Sequence, residues 1–509
     1  MKKIVFVHPR ISGLAIDVYS SDIVRFVKNK VLSTPRLAPM IFAALTPSDY
    51  EFVYVDEDYK EIDLTMDADL IAISAMTMQI NRAYEIADHF RNRGITVVIG
   101  GIHASVLPDE VGEHCDATMV GKGENTWPEM LKDFEQGALK KVYDAKDYPP
   151  VEKLTSPKVD AINHDHYLMF PMQATCGCPY DCDFCSVKHS AGHVHRMKPV
   201  EQVIAEIKEY EKYNTKRSFK KFYYFVDENL YINRKYTKEL LTAMAELNIL
   251  WTGQGSMDTA FDEEMLELMA KSGCRSYAIG FETISDEALA EVNKLRVNKS
   301  ETYNAAIQNL IRHGIIPMGF LIFGFDTDDI GVFQRTVDFI NNSHLIQPII
   351  AVLTPFPGTR LYDRIKAEGR IFDENWNHYN LHNSVFHPKQ MSSALLEEGL
   401  VWACKQVGNF DALKKQSEYF WSHGPWPRLK PLTIKERLFL LAIGLKVRKY
   451  NKKCFDFILW VVFNRKACDF NTIFGGLYMN ERIMKSPKGD KFEELLELEK
   501  NSTKREVTQ

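Results

Sequence analysis

What the chain lacks narrows its class first. No long apolar run is present: the longest uncharged one towards the C-terminus, FILWVVF at 457–463, falls far short of the ~20 residues a spanning helix needs. The first residues, MKKIVFVHPR, bring two lysines and then a short strand, without the apolar stretch and small-residue cleavage site of a secretory signal. Basic charge is not in excess either. With 63 Lys and Arg against 68 Asp and Glu, the formal net charge of −5 argues against a general nucleic-acid binder. Cysteine is sparse and uneven: of nine, four fall between 176 and 185, a pattern of metal chemistry in a reducing compartment and not of a disulfide framework. A cytoplasmic protein is expected, and 509 residues are enough for three domains of ordinary size.

What is there begins with Cys178, Cys182 and Cys185, spaced C-x3-C-x2-C in QATCGCPYDCDFCS. An iron–sulfur cube normally takes four thiolates, and zinc wants four ligands. Three cysteines without a fourth at matching spacing leave one iron open. The preceding PMQAT reads as the end of a strand, which puts the triad on the loop after it. With Phe184 directly before the third cysteine, the pattern resembles the radical S-adenosylmethionine (SAM) enzymes. The resemblance implies that SAM occupies the open iron and is cleaved to a 5′-deoxyadenosyl radical. Cys176, at a position more often basic in relatives of the motif, is read as a non-ligating neighbour.

Residues 1–145 alternate β-branched runs, IVFV (4–7), FVYV (52–55), LIAIS (70–74) and TVVIG (96–100), with helical patterns such as NRAYEIADHFRNRG. Ala83, Ile86, Ala87 and Phe90 share one face of that helix, and Gly94 closes it. The alternation predicts an α/β, doubly wound, Rossmann-like domain with its ligand at the carboxyl ends of the strands. Those ends carry Ser74, Met76 and Thr77, then Gly100, Gly101 and His103, then Gly121 in GKGE. The set resembles the cobalamin-binding domain found ahead of many radical SAM barrels, and the resemblance implies that these residues border cobalamin. One departure stands out: HPRISGLAIDVYS has no Asp-x-His-x-x-Gly, so no histidine is expected beneath the cobalt, and His8 is read as structural.

After a polar, proline-rich linker (146–165), strand–helix alternation resumes six times, short of the eight of a closed barrel. This matches the open six-fold (β/α) barrel of radical SAM enzymes, assigned to 166–375. The resemblance places SAM against Phe184, Asp227, Glu228, Glu282, Gly319, Gly324 and Pro355, with Arg196 as a candidate partner of its carboxylate. A C-terminal helical cap (376–485) and a charged, mobile tail (486–509) complete the expected domain order. Between Lys414 and Lys466 the balance turns to 13 Lys and Arg against 3 Asp and Glu, interleaved with aromatics. A solvated basic face or peripheral contact with an anionic membrane would each account for it. His378, His382 and His387 are not organised on any element and are not read as a zinc site, and Cys404, Cys454 and Cys468 are too far apart for a second cluster.

The whole implies a cobalamin-dependent radical SAM enzyme with a [4Fe–4S] cluster, SAM and cobalamin. It is expected to be a methyltransferase that works through Co(I), methylcobalamin and the 5′-deoxyadenosyl radical on an unactivated carbon. The substrate is expected to be a small molecule, lipid or peptide, and the reductant a low-potential donor such as flavodoxin or ferredoxin. The alternatives are an oxidative cyclase or oxidase with the same cofactors and, from another class, a cobalamin sensor or carrier with a degenerate barrel. A methylthiotransferase would need further cluster cysteines in the first domain, which holds only Cys115.

Overall fold

The computed structural model describes residues 1–11, 34–147, 154–167, 169–214, 222–425, 434–448, 452–463 and 488–506. Residues 12–20 of the region searched for a cobalt-ligating histidine, and Trp426, Lys466 and Cys468 near the C-terminus, lie outside them.

Six parallel strands form the first sheet: β1 (Lys2–His8), β2 (Tyr50–Asp56), β3 (Leu70–Ser74), β4 (Thr96–Gly100), β5 (Ala117–Val120) and β6 (Val142–Asp144), in the order β2-β1-β3-β4-β5-β6. Alternate residues of β1 feed two separate cores. Val5 and Val7 pack with Ile86 and Phe90 of the helix Ile80–Asn92, while Ile4 and Phe6 pack with Trp127 and Met130 of the helix Gly123–Glu135. A sheet buried on both faces explains the unbroken apolar runs of its strands. The order reverses between β1 and β3, which opens a crevice at the carboxyl ends of these strands.

The second sheet is also six parallel strands: β7 (Met169–Met172), β10 (Phe222–Phe225), β11 (Trp251–Gly255), β12 (Cys274–Glu282), β13 (Ile316–Phe323) and β14 (Gln347–Val352), neighbours in that sequence. Every crossover therefore steps the same way, and the helices gather on one face. Leu321, Phe323, Ile350 and Val352 point into the core beneath them. β7 and β14 do not pair with each other, so the barrel stays open. Between β7 and β10 a short antiparallel ribbon, β8 (Thr175–Cys176) with β9 (Arg196–Met197), closes the excursion that carries the three cysteines.

The segment after the barrel packs back on both domains, and the helix Ser393–Val407 then covers the helix Val332–Ser343. One sequence expectation fails. Part of the charged tail is ordered: Phe492–Glu506 is a helix whose buried Phe492 ring lies 4.6 Å from Trp402 and 5.3 Å from Phe333. Phe492, with Leu495 and Leu496 packed beside it and ion pairs such as Lys488–Glu397, anchors a segment that its charge alone would leave in water. No helix among the described residues is long and apolar enough to cross a membrane.

Candidate functional site

The triad loop is held at several points. Cys178 N–H donates to Gly192 O (3.1 Å), Asp183 N–H to Val292 O (3.1 Å), and Asn293 Nδ2 to Asp181 O (2.8 Å). Arg360, at the start of the helix Arg360–Ala367, donates through Nε to Asp183 Oδ1 (2.9 Å) and through Nη2 to Asp181 O (2.6 Å). Thus the loop after the sixth barrel strand fastens the loop after the first, a clamp the sequence did not announce. The three thiols line one cavity of about 210 Å³. Burial raises all of them, Cys182 to about 11, so loading a cluster means displacing protons with iron. Among the described residues no three His, Cys, Asp or Glu side chains converge on a point that one metal ion could occupy. Three thiols spread around a common cavity suit three separate irons.

The same cavity receives Phe184, Glu228, Asn229, Gln254, Ser256 and Glu282, from three different strand ends and the triad loop. Glu282 sits at a bulge, where the register of β12 against β13 shifts between Gly280 and Glu282, and its φ is 65°. That uncommon backbone turns its carboxylate inward, within 3.2 Å of Lys294 Nζ. Lys294 also lines the cavity and was missed by sequence reasoning, since it lies on an unremarkable stretch, EVNKLR. Gly255 and Gly280 keep the space open: a Cβ at 255 would strike Tyr277 Oη, and one at 280 the Glu282 carboxylate. The donor and acceptor set fits a ligand with an amino acid end and ribose hydroxyls.

Four of the residues expected near SAM, and Arg196, do not line this cavity. Asp227 is fully buried and accepts from Ala174 N–H (3.1 Å), Thr175 N–H and Thr175 Oγ1 (2.7 Å). Burial pushes its carboxyl up to about 7 against those donors. It shapes the turn ahead of the triad. Gly319 faces Phe281 and Leu345 on the helix side of β13, where any larger side chain would collide. Gly324, at φ 108°, packs on Leu396 and donates its N–H to Asp328 Oδ2 (2.9 Å). Pro355 is buried in a turn that meets the first domain: Gly358 O accepts from His189 Nε2 (2.7 Å), and the glycine abuts Val106. Arg196, the candidate carboxylate partner, instead donates to Ala191 O (2.9 Å).

A second cavity, about 330 Å³, opens between the carboxyl ends of the first sheet and the barrel. Ser74, Gly100, Gly101 and Gly121 line it, as the sequence implied, over an apolar floor of Phe6, Ile41, Phe42, Val98, Met119 and Trp127. Gly101, at φ 105°, cannot carry a side chain because a Cβ would strike the backbone of Ala75. At Gly123 it would strike the Phe42 ring. A slot of this size with an aromatic floor fits the benzimidazole nucleotide tail of cobalamin, with the macrocycle left to the interface.

Met76, Thr77 and His103 do not line it. Met76 N–H donates to Gln79 Oε1 (3.1 Å). His103 is buried between Thr77 Oγ1 (3.2 Å) and Glu110 Oε1 (3.4 Å), with Trp376 of the post-barrel segment edge-on at 5.0 Å. Trp376 Nε1 donates to the same Glu110 oxygen (2.9 Å). These residues tie the strap after the barrel to the first domain. His8 is likewise engaged, with Arg36 Nε at 3.1 Å and Gln79 Nε2 at 2.9 Å from its Nε2, and burial together with Arg36 brings it down to about 3. His378 pairs with Asp373 (2.6 Å) and not with its neighbouring histidines.

The barrel side of the second cavity includes Cys176, Val226 and Glu228. Cys176 therefore faces away from the triad. Glu228 lines both cavities, and its Oε2 accepts from Gly177 N–H (3.0 Å).

Comparison with known proteins agrees with this fold. Residues 172–340 match the family model of the radical SAM superfamily, and residues 52–131 that of the B12 binding domain. The bacteriochlorophyllide d C-12(1)-methyltransferase of Chlorobaculum tepidum is 33% identical over 355 residues, 69% of this chain and 77% of that protein. The C-8(2)-methyltransferase of the same organism is 32% identical, over 68% of this chain and 79% of its own. The fold is similar to that of the radical S-adenosylmethionine methyltransferase TsrM from Kitasatospora setae, solved with cobalamin and a [4Fe-4S] cluster bound. There the TM-score is 0.60 at 15% identity, over 96% of this chain and 99% of that one.

Proposed function

The chain belongs to the radical SAM enzymes that carry a cobalamin-binding domain, and from that premise we propose that it methylates an unactivated carbon. One observation carries the reading: Glu228 lines both cavities, so a substrate at that wall meets both cofactors. When bound, the cluster with one SAM supplies a 5′-deoxyadenosyl radical, and cobalamin supplies a methyl group taken from another SAM.

The protein's own part is binding and orientation. Cys178, Cys182 and Cys185 would hold the cluster, with SAM bound beside them. Glu282, fixed by Lys294 and the bulge, would accept from the ribose hydroxyls, while Asn229 and Ser256 would serve the amino acid end. Phe184 closes the side towards the sixth loop. In the first domain the glycines at 100, 101 and 121 admit the nucleotide tail.

The substrate we favour is a flat, largely apolar ring system. Phe320 lines the triad cavity, and its register neighbour on β14, Ile349, lies on the same face with 36% of its surface exposed. The two relatives named above act on such a molecule by name. We place the enzyme in the cytoplasm with a low-potential donor such as flavodoxin or ferredoxin. Its described cysteines are all free, in keeping with a reducing compartment. The basic C-terminal helices give it peripheral contact with an anionic membrane.

The test is anaerobic. Protein loaded with iron, sulfide and hydroxocobalamin is given SAM and a strong reductant, and the products are weighed by mass spectrometry. S-adenosylhomocysteine together with 5′-deoxyadenosine is the expected pair. Deoxyadenosine alone would replace methyl transfer with oxidation or cyclisation. Cys182→Ala is expected to abolish deoxyadenosine and leave cobalamin binding intact.

A further inference from the structure

Lys122 follows β5 and sits between two glycines that allow no side chain, since a Cβ at Gly121 would press on Ala145 and one at Gly123 on Phe42. Its side chain is 16% exposed and lines the cavity between the domains. The ammonium reaches across the domain boundary and donates to Cys176 Sγ at 2.6 Å, while its other neighbour, Glu124 Oε2, is 3.8 Å away. An ammonium has three protons to donate, and a thiol is a weak acceptor. A half-buried cation with one weak acceptor in reach, and its carboxylate neighbour beyond hydrogen-bond distance, is better matched when a further anion joins it. Among the described residues lining this cavity the other charged groups are Glu124 and Glu228, so Lys122 is the one cation.

Resting on the cobalamin reading above, we propose that Lys122 binds the phosphodiester of cobalamin's nucleotide loop, with Cys176 holding the ammonium in place until the cofactor arrives. The phosphodiester is the one fixed anion on an otherwise neutral or cationic corrinoid. A cation at the seam would then seat the tail in the slot and draw the first domain's loop against the barrel in the same step. The rival role is a plain interdomain tether, which would act on stability and be indifferent to the ligand.

Two corrinoids separate these roles. Apo full-length protein is titrated with hydroxocobalamin and with dicyanocobinamide, which lacks the phosphate and nucleotide, and binding is followed by absorbance and calorimetry. Lys122→Met is expected to weaken hydroxocobalamin by about 10- to 100-fold, the loss of a charge-assisted hydrogen bond. Cobinamide affinity should stay within about twofold, and Lys122→Arg should retain most of the cobalamin affinity. Equal losses for the two corrinoids, or none for hydroxocobalamin, would overturn the assignment while leaving the cobalamin reading in place. If the unsubstituted protein bound neither corrinoid, both would fall.

Discussion

Glu282 shows how one residue acquires a role from its backbone. The strand's two-residue alternation puts it on the cavity side with Ala278 and Gly280, opposite Phe281, and the bulge sets the angle at which it enters. With φ at 65° it enters the cavity and meets Lys294. Glu282→Gln removes a charged acceptor and is expected to raise the KM for SAM about 10- to 100-fold, with a smaller effect on kcat, read as deoxyadenosine formed per minute. The same alternation separates Asp227 from Glu228. Side by side in FVDENL, they point to opposite sides, one into the turn before the triad and the other into both cavities. Spacing marked the pair as chemically rich. Only the direction of each side chain divides structural from functional.

At the scale of elements, the ribbon of β8 and β9 sets where the triad begins. Its far end is fixed by Lys198, whose N–H donates to Ala174 O (2.8 Å) and whose ammonium lies 2.9 and 2.8 Å from the two carboxylate oxygens of Glu206 on the helix Val200–Asn214. Both side chains are buried, and Ser156 (2.8 Å) and Gln202 (3.1 Å) complete the carboxylate's shell. Lys198→Met strands that carboxylate and is expected to cost about 3–5 kcal/mol, whereas Lys198→Met with Glu206→Leu should recover most of it. Urea midpoints test the energies. Iron content after reconstitution tests whether a loosened ribbon still presents the cysteines.

For the molecule as a whole, the C-terminal helices make its surface lopsided. The helix Ile434–Val447 is apolar on two faces: Leu440 is buried in the main core with Ile458 and Val461, while Ile434, Leu438 and Leu445 are 77%, 61% and 57% exposed. Between 434 and 453 the sequence holds seven Lys and Arg against one Glu, in a chain of net charge −5. A second copy would bring two segments of like charge together, whereas an anionic bilayer complements the segment's charge. The reconstituted protein is expected to float with vesicles of phosphatidylcholine and phosphatidylglycerol and not with phosphatidylcholine alone. Leu438→Glu should release it, and so should about 0.5 M salt. Equal flotation with both vesicles would point to packing of another part of the chain or to self-association instead of charge-assisted docking.

Local patterns were enough for a large share of this. Strands and helices of both domains follow from hydrophobic runs and periodicity, because a two-sided sheet forces its strands to be apolar throughout. The cysteine triad follows from spacing, because a short loop brings nearby thiols together by itself, and the glycines at 100, 101 and 121 follow because a backbone turn leaves its mark on the residue that makes it. The sequence by itself thereby determined the order of domains and the classes of cofactor they hold. Tertiary structure alone decided which members of each motif face a ligand. His103, Thr77 and Trp376 became a seam between distant segments, Phe492 and its neighbours packed part of a charged tail on the core, and Lys294 and Arg360 entered the sites from stretches without a motif, while Lys122 did so from between the glycines of GKGE. Contacts between residues hundreds of positions apart leave no local pattern, since each partner is shaped by a surface that exists only once the domains meet.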